Sequence, residues 1–355
     1  MKKTMFFVSS LDDGGAQRVI SILASRMVQK GMDVEIVTYL DAPVLYPIHS
    51  EVKITCVQKE TEKKSLISNL LWLRSYFKEN AEIVLSFLAP FNMIALVATM
   101  GLRVPIVVAD RNDPAKVPGN KVIRIARDIL YVFADQVVVQ TEANKAYFKV
   151  LSKKTTVIYN PVDLKEYTGL ALKSEKDKII VSAGRLMPQK NQKMLIDAFS
   201  AIMKKFPEYQ LVIYGEGNYR EELESYVKAL KLEERIFMPG SVTDLYDKMK
   251  SAELFVLSSD YEGMPNALIE AMCMGLACVS TKVSGATDLI QDHKNGLLTE
   301  VDCQEEFEGA ILELIENPEF VEKFAKLSVE LNEQLELSKI MEQWIAFINK
   351  IIAEK

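Results

Sequence analysis

The chain has 355 residues, 49% hydrophobic and 26% charged, the composition of a globular protein with enough apolar material for two cores of ordinary domain size. Its formal net charge of −6 argues against a nucleic-acid partner, because phosphate backbones select for a basic excess. Four cysteines (Cys56, Cys273, Cys278, Cys303) form no CxxC pair, and two histidines complete no zinc-ligand spacing, so no metal is expected and the thiols should be buried and reduced, as in a cytoplasmic protein.

The first apolar run, Met5 to Val8, is broken by Ser9 and Ser10 and then by Asp12 and Asp13, too soon for the hydrophobic region of a signal peptide. No stretch reaches the roughly 18 apolar residues that span a bilayer. The nearest, FNMIALVATMGL, reads as a buried or interfacial helix.

Short β-branched and aromatic runs then recur along the first half: TMFFVSS, VEIVTYL, KITCV, EIVLSF, PIVVAD, DQVVVQ and TVIY. Stretches of helical period such as AQRVISILASRMVQK and KVIRIARDILYVF separate most of them. That alternation predicts parallel strands with crossover helices on both faces. The pattern pauses at NPVDLKEYTGLALKSEKD, which places a domain boundary near residue 165. Strands resume with KIIVSAG, QLVIYG, RIFMPG, LFVLSS and LACVST, giving a second domain over 166–336. The tail, residues 337–355, sets Ile340, Trp344, Ile348 and Ile351 near one helix face and is expected to pack on a domain surface.

In doubly wound sheets ligands bind at the carboxyl ends of the strands, so the loops after strands carry the candidate residues. After the first strand, Gly14 and Gly15 open a helix whose N-terminus can receive an anion, although a structural turn explains them equally well. At the start of the second domain, Gly184 is followed by Arg185 and Lys190, a fork of donors and a mobile point charge suited to a diphosphate. Glu216, in the Gly-Glu-Gly after QLVIY, either accepts from a hydroxyl or stays solvated. In EGMPNALIE, Glu262 lies in a loop, Pro265 suits the first turn of a helix, and Glu270 lies inside that helix among Leu268, Ile269, Ala271 and Met272. A buried carboxylate without a partner is costly, so a ligand hydroxyl or a protein cation is implied.

Taken in order, GGAQR, VADRND, IYNPVD, AGRLMPQKN, YGEG, FMPGSVTD, EGMPNALIE and SGATDLI resemble the retaining nucleotide-sugar glycosyltransferases of family 4 over nearly the whole chain. The likeness is greatest to bacterial enzymes that extend lipid-linked sugars for capsule, O-antigen or N-glycan precursors. The resemblance implies the GT-B fold: two Rossmann-like domains facing an interdomain cleft, with the C-terminal helix crossing back to the first. It implies transfer of a hexose or N-acetylhexosamine from a UDP-sugar to a polyprenyl-diphosphate-linked saccharide, with retention, no metal and no other cofactor. Arg185 and Lys190 would then hold the donor diphosphate beside Gly184, and Glu270 the ribose hydroxyls. Glu262, with the backbone of Gly263, Met264 and Asn266, would hold the sugar. Phe237, Met238 and Pro239 would lie beside the base, Glu216 would belong to the donor site, and Gly14 and Gly15 would border the acceptor and the diphosphate. Where many members carry a His, this chain has Arg111, which would steady the transferred sugar or phosphate and with Glu262, Arg185 and Lys190 completes the catalytic set.

A sugar-nucleotide epimerase or hydrolase, a GDP-sugar mannosyltransferase and a non-enzymatic sugar-nucleotide binder remain as alternatives. A lipid-linked acceptor also implies contact with the inner membrane face. Two basic amphipathic segments offer it: Lys63, Lys64, Arg74 and Lys78 with Leu66, Leu70, Trp72, Leu73 and Phe77, and a second with Lys121, Arg124 and Arg127. The same residues also describe ordinary surface helices.

Overall fold

The chain forms two compact units, Met1–Pro161 together with Leu337–Lys355, and Val162–Glu336. In this computed structural model the described residues are 3–12, 14–62 and 65–355; Lys63 and Lys64 of the first basic segment lie outside them. The expected boundary at 165 falls inside the second unit, because the Val162 amide donates to the Leu335 carbonyl (2.9 Å) and ties the linker to the end of that unit.

The first unit is a seven-stranded sheet: β1 (Lys3–Val8), β2 (Val34–Thr38), β3 (Lys53–Cys56), β4 (Ala81–Phe87), β5 (Ile106–Ala109), β6 (Gln136–Val139) and β7 (Thr155–Val157), in the order β3-β2-β1-β4-β5-β6-β7. The second has six: β8 (Asp177–Ala183), β9 (Gln210–Tyr214), β10 (Ile236–Gly240), β11 (Ala252–Leu257), β12 (Ala277–Thr281) and β13 (Leu297–Thr299), in the order β10-β9-β8-β11-β12-β13. Every pairing between these strands is parallel. This is the GT-B fold, two doubly wound sheets in one chain. The short strand β13 escapes a periodicity reading because three residues carry too little pattern.

Helices α1 (Gly15–Gln29), α2 (Leu66–Asn80), α3 (Ala89–Thr99) and α4 (Lys121–Leu130) belong to the first unit, α5 (Asn266–Met274) and α6 (Ser284–Leu289) to the second, and α7 (Leu337–Ala353) to the first again. Strand alternation sorts the core. Phe6 and Val8 of β1 join α1 and α7, while Met5 and Phe7 join α2 and α3 on the other face. Ile340, Trp344 and Ile348 of α7 are fully buried, and the Trp344 ring stacks on Phe87 at 6.1 Å. Cys273 and Cys278 are buried as expected, but Cys56 and Cys303 are only half-buried. Among the described residues no helix is long and apolar enough to cross a membrane.

Two expectations about the basic helices fail. Leu73 and Phe77 of α2 sit in the core rather than on a lipid-facing side. In α4 the buried residue is Arg127, which was expected on a basic outer face. Its guanidinium donates to the Val117 carbonyl (2.6 Å), the Pro114 carbonyl (2.8 Å) and Asp128 (2.7 Å), and lies over the rings of Tyr131, Tyr147 and Phe148. A periodicity reading assumes that apolar side chains turn inward; here carbonyls and aromatic faces satisfy a cation instead.

A second buried charge fixes the edge of the first sheet. Glu35 on β2 accepts from Thr55 (2.6 Å) and Tyr76 (2.5 Å) and pairs with Lys53 (3.2 Å) and Lys3 (3.3 Å). Burial pushes its carboxyl up, but the hydrogen bonds and Lys53 outweigh that and hold it below the ordinary carboxylate range. A folded-state value below the unfolded one gives stability that is present at neutral pH and is lost as pH falls through the folded value. Glu35→Gln should therefore lower the stability of the first unit at pH 7 by about 1–3 kcal/mol. It should also flatten the loss of stability below about pH 4.3. Urea midpoints at neutral and acid pH check this; parental midpoints at both would show that the carboxylate contributes nothing.

Candidate active site

In the second sheet the strand order reverses between β8 and β11, and the loops that follow these two strands carry the candidate residues. After β8 come Gly184 and Arg185, then a short turn, Pro188–Lys190, and Asn191, whose side chain caps the helix Gln192–Ile202. After β11 comes the loop 258–265, which leads into α5. Backbone and side-chain bonds stitch the two loops together. The Asp260 amide donates to the Gln189 carbonyl (2.9 Å), Gln189 to the Tyr261 carbonyl (2.7 Å), Ser258 to the Lys190 carbonyl (2.8 Å), and Asn191 to Asp260 (2.8 Å).

That stitching brings two of the sequence candidates onto each other. Lys190 Nζ donates to Glu262 Oε1 at 2.5 Å, and Ser259 Oγ donates to the same oxygen at 2.8 Å. Glu262 is 7% exposed and Ser259 is fully buried. Gly184 closes the group: a Cβ there would lie 3.4 Å from Lys190 Cε. An ammonium with further N–H groups beside a carboxylate with a second oxygen can hold an anion and a hydroxyl side by side. Arg185 is exposed at the rim, its backbone carbonyl held by Gln192 (2.9 Å).

Pro265 does not enter the helix as expected. It occupies the N-cap position in an extended conformation, and Asn266 is the first helical residue. Glu270 lies deep in α5, 6% exposed, between fully buried Ile269 and Ala271. Burial, with the charge of Glu270 added, pushes the neighbouring Cys273 thiol up to about 12. The turn Gly263–Pro265 is backed by α6: a Cβ on Gly285 would come within 2.6 Å of Pro265 Cδ and 2.7 Å of the Gly263 carbonyl oxygen. The sequence reading assigned Gly285 no such role.

The loop after β9 touches the loop after β8 through bare backbone, since a Cβ on Gly217 would fall 2.0 Å from the Leu186 carbonyl oxygen. Glu216 stays exposed, as the solvated reading expected, and is paired with a cation. Arg220, one helical turn on, grips both its oxygens at 2.7 and 2.8 Å and holds it below the ordinary carboxylate range. The same guanidinium donates to the Met238 carbonyl (3.0 Å) and the Gly215 carbonyl (3.2 Å). Arg220 thus fixes the end of β10, where Phe237, Met238 and Pro239 lie and Phe237 is 39% exposed. Only the spacing of Glu216, Arg220 and Glu224 hinted at this in the sequence.

Gly14, Gly15 and Arg111 belong to the first unit, in the segments that follow β1 and β5. Gly14 caps α1, and its amide donates to the Tyr46 hydroxyl (3.3 Å). Arg111 is 7% exposed, lies over the Phe87 ring and donates through Nη2 to Asn160, while its Nε and Nη1 have no partner among the described residues. Burial lowers its guanidinium to about 9 and raises neighbouring Asp110 to about 6. Gln140 donates to the same Asn160 oxygen (2.6 Å). Neither Gln140 nor Asn160 was singled out in the sequence, although Asn160 lies in the IYNPVD motif.

Residues 13–166 match the family described as Glycosyltransferase Family 4, and residues 169–328 the one described as Glycosyl transferases group 1. Along its whole length, and over 99% of the relative, the chain is 30% identical to a Campylobacter jejuni enzyme, the α-1,4-N-acetyl-D-galactosaminyltransferase of GalNAc-α-(1→4)-GalNAc-α-(1→3)-diNAcBac-PP-undecaprenol. A second Campylobacter jejuni relative, N-acetylgalactosamine-N,N′-diacetylbacillosaminyl-diphospho-undecaprenol 4-α-N-acetylgalactosaminyltransferase, is 32% identical over 85% of this chain and 87% of its own length. Anabaena HepE in complex with UDP and glucose shares the fold, with a TM-score of 0.83 at 18% identity over 98% of this chain and 100% of that one. With both units matched and one relative aligned from end to end, the chain belongs to the glycosyltransferases of group 1 and family 4.

Proposed function

We propose that the protein is a retaining, metal-independent hexosyltransferase. It moves a hexose or N-acetylhexosamine from a UDP-sugar to a polyprenyl-diphosphate-linked saccharide in surface-glycan assembly. The observation that carries this reading is the Lys190–Glu262 pair beside Gly184 at the strand-order reversal of the second sheet. The named acceptors of the two Campylobacter relatives support the polyprenyl-linked substrate.

The chemistry needs stabilisation of negative charge on the leaving diphosphate as its bond to the anomeric carbon lengthens. Lys190 and Arg185 supply that charge from the loop after β8, and the positive end of the α5 dipole adds to it. Glu262 accepts from a hydroxyl of the sugar and keeps Lys190 in place. Glu270 holds the ribose. The acceptor hydroxyl attacks the anomeric carbon on the face from which UDP departs, and its proton leaves on the diphosphate, so configuration is retained.

Glu270→Ala should weaken UDP binding by about tenfold, roughly 1.4 kcal/mol, with the second unit still folded. Calorimetric titration with UDP and GDP checks it; parental UDP affinity in the variant would give Glu270 a purely structural role, and a parent that binds neither nucleotide would end the UDP-sugar reading. Gly285→Ala tests the Glu262 turn from behind. The added methyl must displace the Gly263–Pro265 backbone, so kcat/KM should fall at least about tenfold while the second unit stays folded. A parental kcat/KM would mean that the turn does not position the sugar.

A further inference from the structure

Three polar side chains leave the first sheet at the carboxyl ends of neighbouring strands: Arg111 just past β5, Gln140 directly after β6, and Asn160 just past β7. Backbone bonds keep these strand ends aligned, with the Asp110 amide on the Val138 carbonyl (2.9 Å) and the Ile158 amide on the Val139 carbonyl (3.0 Å). All three side chains are buried. Successive residues of an extended strand face opposite ways. Asp110 accordingly turns to the Tyr131 hydroxyl (3.2 Å) and Arg127 (3.8 Å), and Arg111 turns to the Phe87 ring, which Trp344 of α7 backs in turn.

Arg127 and Arg111 are held in opposite ways. Arg127 meets the carboxylates of Asp128 and Asp110 as well as two carbonyls. Arg111 donates only through Nη2, to the amide oxygen of Asn160, and no carboxylate among the described residues accepts from it. Gln140 donates to that same oxygen at 2.6 Å, and two donors on one oxygen fix the Asn160 amide with its oxygen toward Arg111. A buried charge is ordinarily paired, because desolvation without a counter-ion is destabilising. Here a neutral group holds the cation, and Nε and Nη1 lack partners among the described residues. We propose that Asn160 and Gln140 are positioning residues for Arg111, fixing its guanidinium without neutralising it, so that the charge stays available to an anionic oxygen of the substrate. The inference rests on the reading of Arg111 as the residue that steadies the transferred sugar or phosphate. It accounts for an amide at position 160. Asp there would bind the guanidinium more strongly, as a charge-assisted pair, and would cancel the charge the reaction uses.

Melting temperatures and steady-state release of UDP by the full chain test this. The donors are UDP-N-acetylgalactosamine, UDP-N-acetylglucosamine, UDP-galactose and UDP-glucose, each with an undecaprenyl-diphosphate-linked N-acetylgalactosaminide as acceptor. Asn160→Asp is nearly isosteric and gains an ion pair, so its melting temperature should be parental or higher. Its kcat should nevertheless fall at least about tenfold, with the donor KM within about twofold of the parent, because the lost interaction belongs to the transition state. Gln140→Met keeps the volume, adds no charge and removes the donor that orients Asn160; its kcat should fall about threefold at unchanged KM. A purely structural clamp predicts the reverse for Asn160→Asp, an activity that follows the stability. Arg111→Gln should lower kcat at least as far as Asn160→Asp does. A low kcat in Arg111→Gln with parental kcat in Asn160→Asp and Gln140→Met would overturn the positioning role alone. Parental kcat in Arg111→Gln, or no UDP release by the parent with any donor, would remove the reading on which the inference rests.

Discussion

A parallel sheet buried on both faces leaves its carboxyl-end loops as the place where polar backbone and side chains can gather. Everything chemical in this protein depends on that constraint. In the second unit the order reverses between β8 and β11, so two loops that are distant in sequence leave the sheet as neighbours. Their mutual hydrogen bonds through Gln189, Asn191, Ser258 and Asp260 then hold Lys190 against Glu262. Close backbone contact at Gly217 and Gly285 packs further segments behind them.

The molecule contains several buried charges, and their surroundings separate structure from chemistry. Glu35 and Arg127 are saturated by fixed partners: two hydroxyls and lysines in one case, carbonyls, Asp128 and aromatic faces in the other. Such groups lock local geometry, since breaking one partner leaves an uncompensated charge. Arg111 differs, because burial depresses its guanidinium while Nε and Nη1 lack partners among the described residues. Lys190 and Glu262 differ again: each engages the other through one atom and keeps hydrogen-bonding capacity for something else.

The outer surface of the first unit carries a different message. An amphipathic helix normally spends its apolar stripe on the core, yet α4 spends a guanidinium there and presents isoleucines to solvent. The core beneath does not lack apolar partners, because Tyr131 and Phe148 fill it and cover the faces of Arg127.

Strand runs, their parallel arrangement, the second domain and the inward face of α7 were legible in the sequence because each follows from a local period: alternating or continuous apolar residues in strands, and Ile340, Trp344 and Ile348 along one helix stripe. The positions of Gly184, Lys190, Glu262 and Glu270 on loops and a helix after strands were legible for the same reason. Tertiary structure decided what each side chain meets. It paired Glu216 with Arg220, set Lys190 on Glu262, placed Pro265 outside its helix, moved the boundary to Val162 and turned α4 inside out. None of these is local. Each depends on which segments become neighbours when the sheet closes, and a one-dimensional pattern records the preference of a residue without recording its partner.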